Sequence, residues 1–335
     1  MPFKSTLNAL KGQLKDLQNE GQKFLGGSQS SQSHAQPQPQ YHQAQPQYNH
    51  PPPPPPQHAA AFAQGNFAGG PPGQSVYWSA RFDPNTPISQ EWEEKLGNNN
   101  GWGNNELQHY TNDRANSFFT GNNLLVLRAL ASPSNPDPAR KYTSARLVSR
   151  QRLSRPRGSL VATLTLPCAP GIWPAFWLLP FEPFTWPHEG EVDIAETWNG
   201  DGINHSCLHW GFYTPEDNWK HRVVGTFVPG MQQGRPVRYE FAWNQDEGSG
   251  QGRMVWYIDG RPVMKAPIPQ GTRKMADFVI LLNIAMGGNV TQGQTPRDGT
   301  YDFVVHELKM LDAPDAGGWA KFDQDFNVTR EGDTI

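Results

Sequence analysis

The chain has 335 residues, a formal net charge of −3 and a charged fraction of 18%. This charge balance gives no electrostatic reason to expect a nucleic-acid partner, and no apolar run reaches the 18 or more residues of a transmembrane helix. The 33 glycines, 32 prolines and 12 tryptophans are typical of one all-β domain joined to a disordered arm.

Residues 1–26 have the pattern of an amphipathic helix with a narrow apolar seam. The seam alternates spacings of four and three residues and consists of Phe3, Leu7, Leu10, Leu14, Leu17 and Phe24. We expect either a marginal helix without a partner or a helix that contacts a membrane surface or a partner helix. Lysines and Asp16 interrupt the apolar run that a secretory signal needs. The location therefore stays open between the cytoplasm, export by another route and a different true start.

Residues 27–75 form a low-complexity segment rich in Gln, Pro, Ser, His and Gly. The run from Pro51 to Pro56 favours a polyproline II rod. Such a segment cannot bury enough apolar surface to offset its conformational entropy, so we expect a disordered linker.

Residues 76–312 have the pattern of a single β-sandwich. Short runs rich in β-branched and aromatic residues recur every ten to fifteen residues, and Asp259-Gly260 between two of them is a hairpin signal. We see no long helical period in this region. Residues 313–335 are polar and rich in Gly and Asp, and we expect a tail that lies on the sandwich surface.

Three carboxylates fall within six residues of the apolar stretch 190–198. Glu191 and Asp193 are two apart and share a strand face, whereas Glu196 is five from Glu191 and would face the other way. A β-bulge between Asp193 and Glu196 would bring all three onto one face. The two glutamates would then be roughly 13 Å apart along the backbone, near enough for their side chains to lean to about 5–5.5 Å.

A solvated acidic strand face is the plain alternative for these three residues. Against it, the sequence contains no Lys or Arg between Arg157 and Lys220, so the acids should raise one another's pKa, as acid/base catalysis requires. The stretch 171–179 and Trp186 add indole rings nearby, and such rings suit a carbohydrate cleft.

The sequence GIWPAFWLLP followed by GEVDIAE resembles the catalytic centre of glycoside hydrolase family 16, in its laminarinase-like branch. The resemblance covers residues 76–312 and implies a concanavalin-like β-jelly-roll sandwich. It implies a retaining endo-β-1,3(4)-glucanase with Glu191 as nucleophile, Glu196 as acid/base and Asp193 hydrogen-bonded between them. Trp177 and Trp186 would line the sugar sites. The rival interpretations are a glucan-binding, lectin-like protein without catalysis and a cell-wall transglycosylase.

Three further residues match motifs of the same family. Asn104 lies in WGNNE, which resembles a family segment that borders the substrate cleft. Glu106 of the same segment either borders the cleft as well or braces a loop. Arg146 lies in SAR and is either near the cleft or part of a structural ion pair. His209 matches a histidine beside the acid/base, although a histidine in a strand is commonly just a packed core residue.

The sequence predicts no metal centre. No cluster has zinc-ligand spacing, and the implied mechanism needs no metal, although a structural Ca²⁺ occurs in some family members and we locate no site for it. Cys168 and Cys207 either form a disulfide or are two buried free thiols.

Two departures from the family pattern concern the outer sugar sites. Val290 follows Gly287-Gly288-Asn289, where many relatives have a tryptophan, and His306-Glu307 stands where the family has an Asp-Tyr pair.

Overall fold

The computed structural model describes residues 75–315 and 317–334. Two sheets, antiparallel except for the β3–β6 pair, pack face to face in them as a jelly-roll sandwich, which confirms the predicted all-β class. The predicted helix in 1–26, and the predicted linker 27–75 except for its last residue, lie outside the described residues.

The first sheet contains ten strands of the described chain. They are β1 Val76–Ser79, β3 His109–Tyr110, β4 Ser117–Phe119, β5 Leu125–Ala131, β6 Tyr142–Ser144, β8 Arg157–Thr165, β13 Val237–Gln245, β14 Gly252–Ile258, β15 Arg261–Pro267 and β17 Gly299–Leu311. Eight of them run in the order β15-β14-β13-β8-β17-β5-β6-β3, while β1 pairs with β17 and β4 with β5. Asp259 and Gly260 both have positive φ at the β14–β15 hairpin, as the turn signal predicts.

The second sheet contains eight strands of the described chain. They are β2 Trp92–Glu94, β7 Arg146–Arg152, β9 Ile172–Pro180, β10 Glu191–Glu196, β11 Ile203–His209, β12 His221–Phe227, β16 Phe278–Met286 and β18 Asp333–Thr334. Their order is β18-β12-β11-β10-β9-β16-β7-β2. Short 3₁₀ turns occur at Ile88–Gln90, Asn99–Gly101, Pro138–Arg140, Asn218–Lys220, Met231–Gln233 and Met275–Asp277.

Strand β16 shows why the second sheet is covered on both faces. All nine of its residues are buried, which explains its continuous apolar sequence FVILLNIAM. Alternate residues such as Ile280 and Leu282 enter the core between the sheets. Val279 and Leu281 face the other way and pack with Trp177. The outer face of this sheet is therefore a shielded surface on which a cleft can form.

One helix, α1, occupies Gly318–Val328 in the segment that we expected to be a polar tail. Its Phe322 is fully buried against Val255 and Tyr257 of β14, with Trp319 and Phe326 beside it. The segment does lie on the sandwich surface, but its helical structure was not predicted. Eleven residues with so short an apolar seam are a marginal helix alone, and contact with the sheet stabilises it.

No helix in residues 75–315 and 317–334 is both long and apolar enough to cross a membrane.

Candidate active site

A β-bulge in β10 turns the three predicted carboxylates to one face. Asp193 pairs with Trp177 of β9, but the next pair is Ala195 with Phe176, so two residues on β10 oppose one on β9. Ile194 and Ala195 consequently both enter the core. This confirms the bulge that the spacing predicts, and Glu191, Asp193 and Glu196 line the same cavity.

Two buried side chains hold the backbone at this bulge. Asn204 on β11 accepts from the Glu196 N–H at 3.2 Å and donates to the Ile194 carbonyl at 3.2 Å. Trp256 from the opposite sheet donates its Nε1–H to the Asp193 carbonyl at 3.0 Å. The polar groups freed by the irregular pairing are therefore satisfied, and this fixes the direction in which the carboxylates project.

The cavity has a volume of about 420 Å³ and lies on the outer face of the second sheet. Every site residue named from the sequence lines it: Asn104, Arg146, Trp177, Trp186, Glu191, Asp193, Glu196 and His209. They come from strands β7, β9, β10 and β11 and from two loops, so residues up to 105 positions apart in the sequence meet in one cleft.

Each glutamate accepts a hydrogen bond from a different indole. Trp186 donates its Nε1–H to Glu191 Oε2, and Trp173 donates its Nε1–H to Glu196 Oε1. The Cys207 thiol lies at the other oxygen of Glu196, with Sγ 3.9 Å from Oε2. Because an N–H stabilises the ionised carboxylate, these contacts partly offset the cost of burying the two charges.

Burial raises the pKa of all three carboxyl groups, and the charge of a neighbouring carboxylate raises it further for Asp193 and Glu196. Burial first, and then the charges of Glu191 and Glu196, hold the pKa of Asp193 well above its usual range. Burial also raises the pKa of Glu191, where the Trp186 N–H and the positive charge of Arg146 act in the opposite direction. For Glu196 burial raises the pKa, the Trp173 N–H lowers it, and the charge of Glu191 raises it again.

Arg146 brings a cation to the cleft from β7, outside the stretch 158–219 that lacks Lys and Arg. Its guanidinium lies between two indoles, 4.6 Å from the Trp102 ring centroid and 4.8 Å from that of Trp177. The Trp177 Nε1–H donates to Asn283 Oδ1 at 2.7 Å, which fixes the second ring. Cation–π contacts thus hold Arg146 in the cleft. Among the described residues, Arg146 forms no salt bridge to a carboxylate.

His209 contacts Asp193 rather than the predicted neighbour Glu196. Its Nε2 lies 3.5 Å from Asp193 Oδ2, and its Nδ1 lies 3.1 Å from Nδ1 of His221. Burial lowers the pKa of His209 to about 3, so its ring is neutral at ordinary pH. The reason is register: His209 pairs with Glu191 at the other end of β10 from Glu196.

The hydrogen bonds of this pair assign the histidine tautomers. His221 Nε2 lies 3.5 Å from the Phe212 carbonyl oxygen, which can only accept, so His221 carries its proton on Nε2. Its Nδ1 then accepts from Nδ1–H of His209. The unprotonated Nε2 of His209 consequently presents its lone pair to Asp193.

Asn104 and Glu106 both reach the cleft. Asn104 Nδ2 donates to Glu106 Oε1 at 3.4 Å, and Gln108 Nε2 donates to Glu106 Oε2 at 2.5 Å. Burial raises the pKa of Glu106 to about 7. Glu106 therefore both braces its loop and lines the cavity, which joins the two interpretations of the WGNNE segment.

Several lining residues were not singled out from the sequence. They are Trp102, Trp173, Trp198, Cys207, Tyr213, His221 and Asn283. Strand alternation could have identified Trp173. It lies two residues before Ala175 and four before Trp177, so all three share one face of β9. Cys207 and Cys168 are both free thiols, the first buried and the second partly buried. The disulfide alternative is therefore wrong.

The two departures from the family pattern lie in different places. Val290 lines the cavity. His306 and Glu307 belong to β17 in the other sheet, where His306 Nε2 contacts Thr165 Oγ1 at 2.9 Å and Glu307 pairs with Lys309 at 2.7 Å. Of these positions, only Val290 lies in the cleft.

Comparison with known proteins connects this site to a family. Residues 103–227 match the XgeA-like catalytic domain of glycoside hydrolase family 16. The "Beta-glucanase" of Rhodothermus marinus is 31% identical over 265 residues, which span 71% of this chain and 85% of that protein. The "Glucan endo-1,3-beta-glucosidase A1" of Niallia circulans is 29% identical over 248 residues, and the match spans 67% of this chain but 35% of that longer protein.

A solved structure shows the same fold. LamA of Z. galactanivorans, crystallised as a variant with laminaritriose and laminaritetraose, superposes with a TM-score of 0.58 at 26% sequence identity. The superposition covers 71% of this chain and 98% of that chain. Nearly all of that LamA chain is therefore matched, and the residues without a counterpart belong almost entirely to the present chain.

Proposed function

Because the chain belongs to glycoside hydrolase family 16, we propose that it is an endo-acting hydrolase of β-1,3 glucan and of mixed β-1,3-1,4 glucan. The observation that carries this proposal is the bulged strand β10, which presents two glutamates and an aspartate to a cleft lined by tryptophans. The printed names of the relatives and the laminari-oligosaccharides bound to LamA support the substrate class.

The proposed reaction is a double displacement through a glycosyl-enzyme. Glu191 attacks C1 of the sugar while Glu196 protonates the departing glycosidic oxygen, and Glu196 then removes a proton from the water that releases the sugar. Asp193 supplies the hydrogen bond between them, since burial and both neighbouring charges favour its protonated form. No metal takes part in these steps.

The surroundings of the two glutamates differ in a way that supports these roles. The positive charge of Arg146 and the Trp186 N–H both favour ionised Glu191, as a nucleophile requires. Glu196 is acted on by the negative charge of Glu191, which favours its protonated form, as a general acid requires. Spacing alone does not distinguish the two residues. Both are buried and accept an indole N–H, so the distinction rests on the charge beside each: cationic Arg146 for Glu191 and anionic Glu191 for Glu196.

We propose that the indoles of Trp177 and Trp186 stack on sugar rings, while Asn104, Arg146 and His209 shape the sites beside them. Trp186 is 43% exposed, so its face is available to a ligand. Trp177 is fixed by Asn283 and by the Arg146 guanidinium, so its ring position is set before substrate binds. Contact of residues 1–26 with a membrane surface or a partner helix stays a prediction.

Product analysis tests the proposed activity against its two rivals. With laminarin and with mixed-linkage glucan, we expect new reducing ends and oligosaccharides of several lengths from the earliest times. Products longer than an added acceptor oligosaccharide would instead indicate a transglycosylase. Binding to glucan without new reducing ends would indicate a lectin-like protein, and the Glu196→Gln variant provides the matched inactive control.

The two indole–carboxylate contacts predict separate shifts of the pH profile of kcat/KM. Activity rises as Glu191 loses its proton and falls as Glu196 loses its own. Trp186→Phe removes the N–H that stabilises ionised Glu191, so the pKa of Glu191 rises and the acid limb moves to higher pH. Trp173→Phe does the same to Glu196 and moves the basic limb to higher pH. A hydrogen bond to a charged group is worth ~1.5–3 kcal/mol, so we expect each shift to be roughly one to two pH units.

Each of these variants is the control for the other, because both lose one indole N–H and one ring from the cleft. The position of a limb is independent of the overall loss of activity that weaker sugar stacking causes. If both variants moved the same limb, the assignment of one indole to each glutamate would be wrong.

A further inference from the structure

The floor of the cleft brings together three side chains whose donor atoms suit a soft divalent cation. A carboxylate oxygen of Asp193, the Cys207 thiol sulfur and a ring nitrogen of His209 all lie within 4.8 Å of one another. Cys207 and His209 are two residues apart on β11, and Cys207 pairs with Asp193 across the strands. Linear spacing did not reveal this group, because one member comes from another strand.

The tautomer of His209 leaves its Nε2 without a proton to donate. That nitrogen faces Asp193 Oδ2 at 3.5 Å, so a lone pair is directed at an oxygen. At this distance a cation can take the place of the proton that the Asp193 carboxyl group otherwise carries. The His221 contact to Nδ1 of His209 is the kind of outer hydrogen bond that orients a metal-binding histidine.

We propose that Asp193, Cys207 and His209 form a binding site for Zn²⁺. With Zn–S of about 2.3 Å and Zn–N and Zn–O of about 2.0–2.2 Å, the ligand atoms of a tetrahedral site lie roughly 3.3–3.7 Å apart. The His209–Asp193 pair already has that separation, and the Cys207 sulfur lies within 4.8 Å of both ligand atoms. Glu196 Oε2, 3.9 Å from Cys207 Sγ, or a water completes four ligands. Binding transfers the thiol proton of Cys207 and the carboxyl proton of Asp193 to solvent.

Occupancy of this site excludes catalysis. The ion takes the carboxylate of Asp193, which the proposed mechanism uses between Glu191 and Glu196, so Zn²⁺ acts as a reversible inhibitor. The binding site itself rests only on the three donor groups, whereas inhibition rests on the proposed function.

The test is a titration of the full chain with Co²⁺, which reports thiolate ligation by a sulfur-to-metal charge-transfer band in the near ultraviolet. We expect the wild type to develop the band and Zn²⁺ to abolish it by displacement. Cys207→Ser should lose the band, and Cys168→Ser, which removes the other thiol outside the cavity, should keep it. Histidines of the segment 27–75 cannot produce this signal, because they carry no sulfur.

Calorimetry with Zn²⁺ and laminarin hydrolysis complete the test. Asp193→Asn keeps both thiols and should weaken Zn²⁺ binding at the site by about tenfold or more. The wild type and Cys168→Ser should be inhibited over the same Zn²⁺ concentrations at which binding occurs. Inhibition of Cys207→Ser should need a Zn²⁺ concentration that is about tenfold higher or more. Absence of the band from the wild type, or its persistence in Cys207→Ser, would overturn the site. A normal band without inhibition would leave the site standing and overturn only its effect on hydrolysis.

Discussion

We expect Glu196→Ala to hydrolyse polymeric laminarin roughly 10²–10⁴-fold more slowly than the wild type, the range that general acid–base catalysis contributes. The same variant should still form the glycosyl-enzyme from an aryl glycoside with a good leaving group, because such a group departs with little protonation. Added azide should attack that intermediate without help from a base and restore turnover. The product should be a β-glycosyl azide, since two inversions retain configuration.

The Glu196→Gln variant is the matched control for this rescue. It keeps the size of the side chain that accepts from Trp173 and so leaves less room for azide. We therefore expect weaker rescue from it than from Glu196→Ala. An α-glycosyl azide from Glu196→Ala would reverse the assignment of the two glutamates.

Glu191→Ala should have a larger effect than Glu196→Ala with the aryl glycoside, because no leaving group compensates for a missing nucleophile. We expect hydrolysis of both laminarin and the aryl glycoside to be lost. Azide should give at most the α-glycosyl azide, formed by a single inverting displacement. The measurement is product analysis by NMR after incubation with azide.

The Glu191→Ala experiment also needs evidence that the variant folds. Glu191 is partly exposed to solvent. Its removal takes a hydrogen-bond partner from Trp186 and Asp193 but also removes one of three neighbouring like charges, so we expect a melting temperature close to that of the wild type. Retained hydrolysis by this variant, or by the double variant, would remove these residues from the mechanism.

The sequence predicted the centre of the site because the signal there is local. Spacings of two and five residues within one strand require a bulge if Glu191, Asp193 and Glu196 are to share a face, and the shift from Asp193 to Ala195 provides it. The all-β class was likewise readable, since short runs rich in β-branched and aromatic residues recur between turn residues without a long helical period.

The contacts that the sequence could not predict depend on the order and register of the strands. Arg146 on β7 acts on Glu191 of β10 across β16 and β9, and no local pattern records that order. The register of β11 decides that His209 meets Asp193 instead of Glu196. Helix α1 was missed for a related reason, since its Phe322 is stabilised by contact with β14 and not by its own helix propensity.

The stereochemistry of hydrolysis tests the central proposal most directly, namely a double displacement by Glu191 and Glu196. Proton NMR can follow the anomeric signals during the first minutes of laminarin hydrolysis by the wild-type enzyme, before mutarotation equilibrates them. With a double displacement, we expect the β anomer of the new reducing ends to appear first and the α anomer to grow in later. Initial release of the α anomer would mean a single inverting displacement by water and would contradict the proposed mechanism.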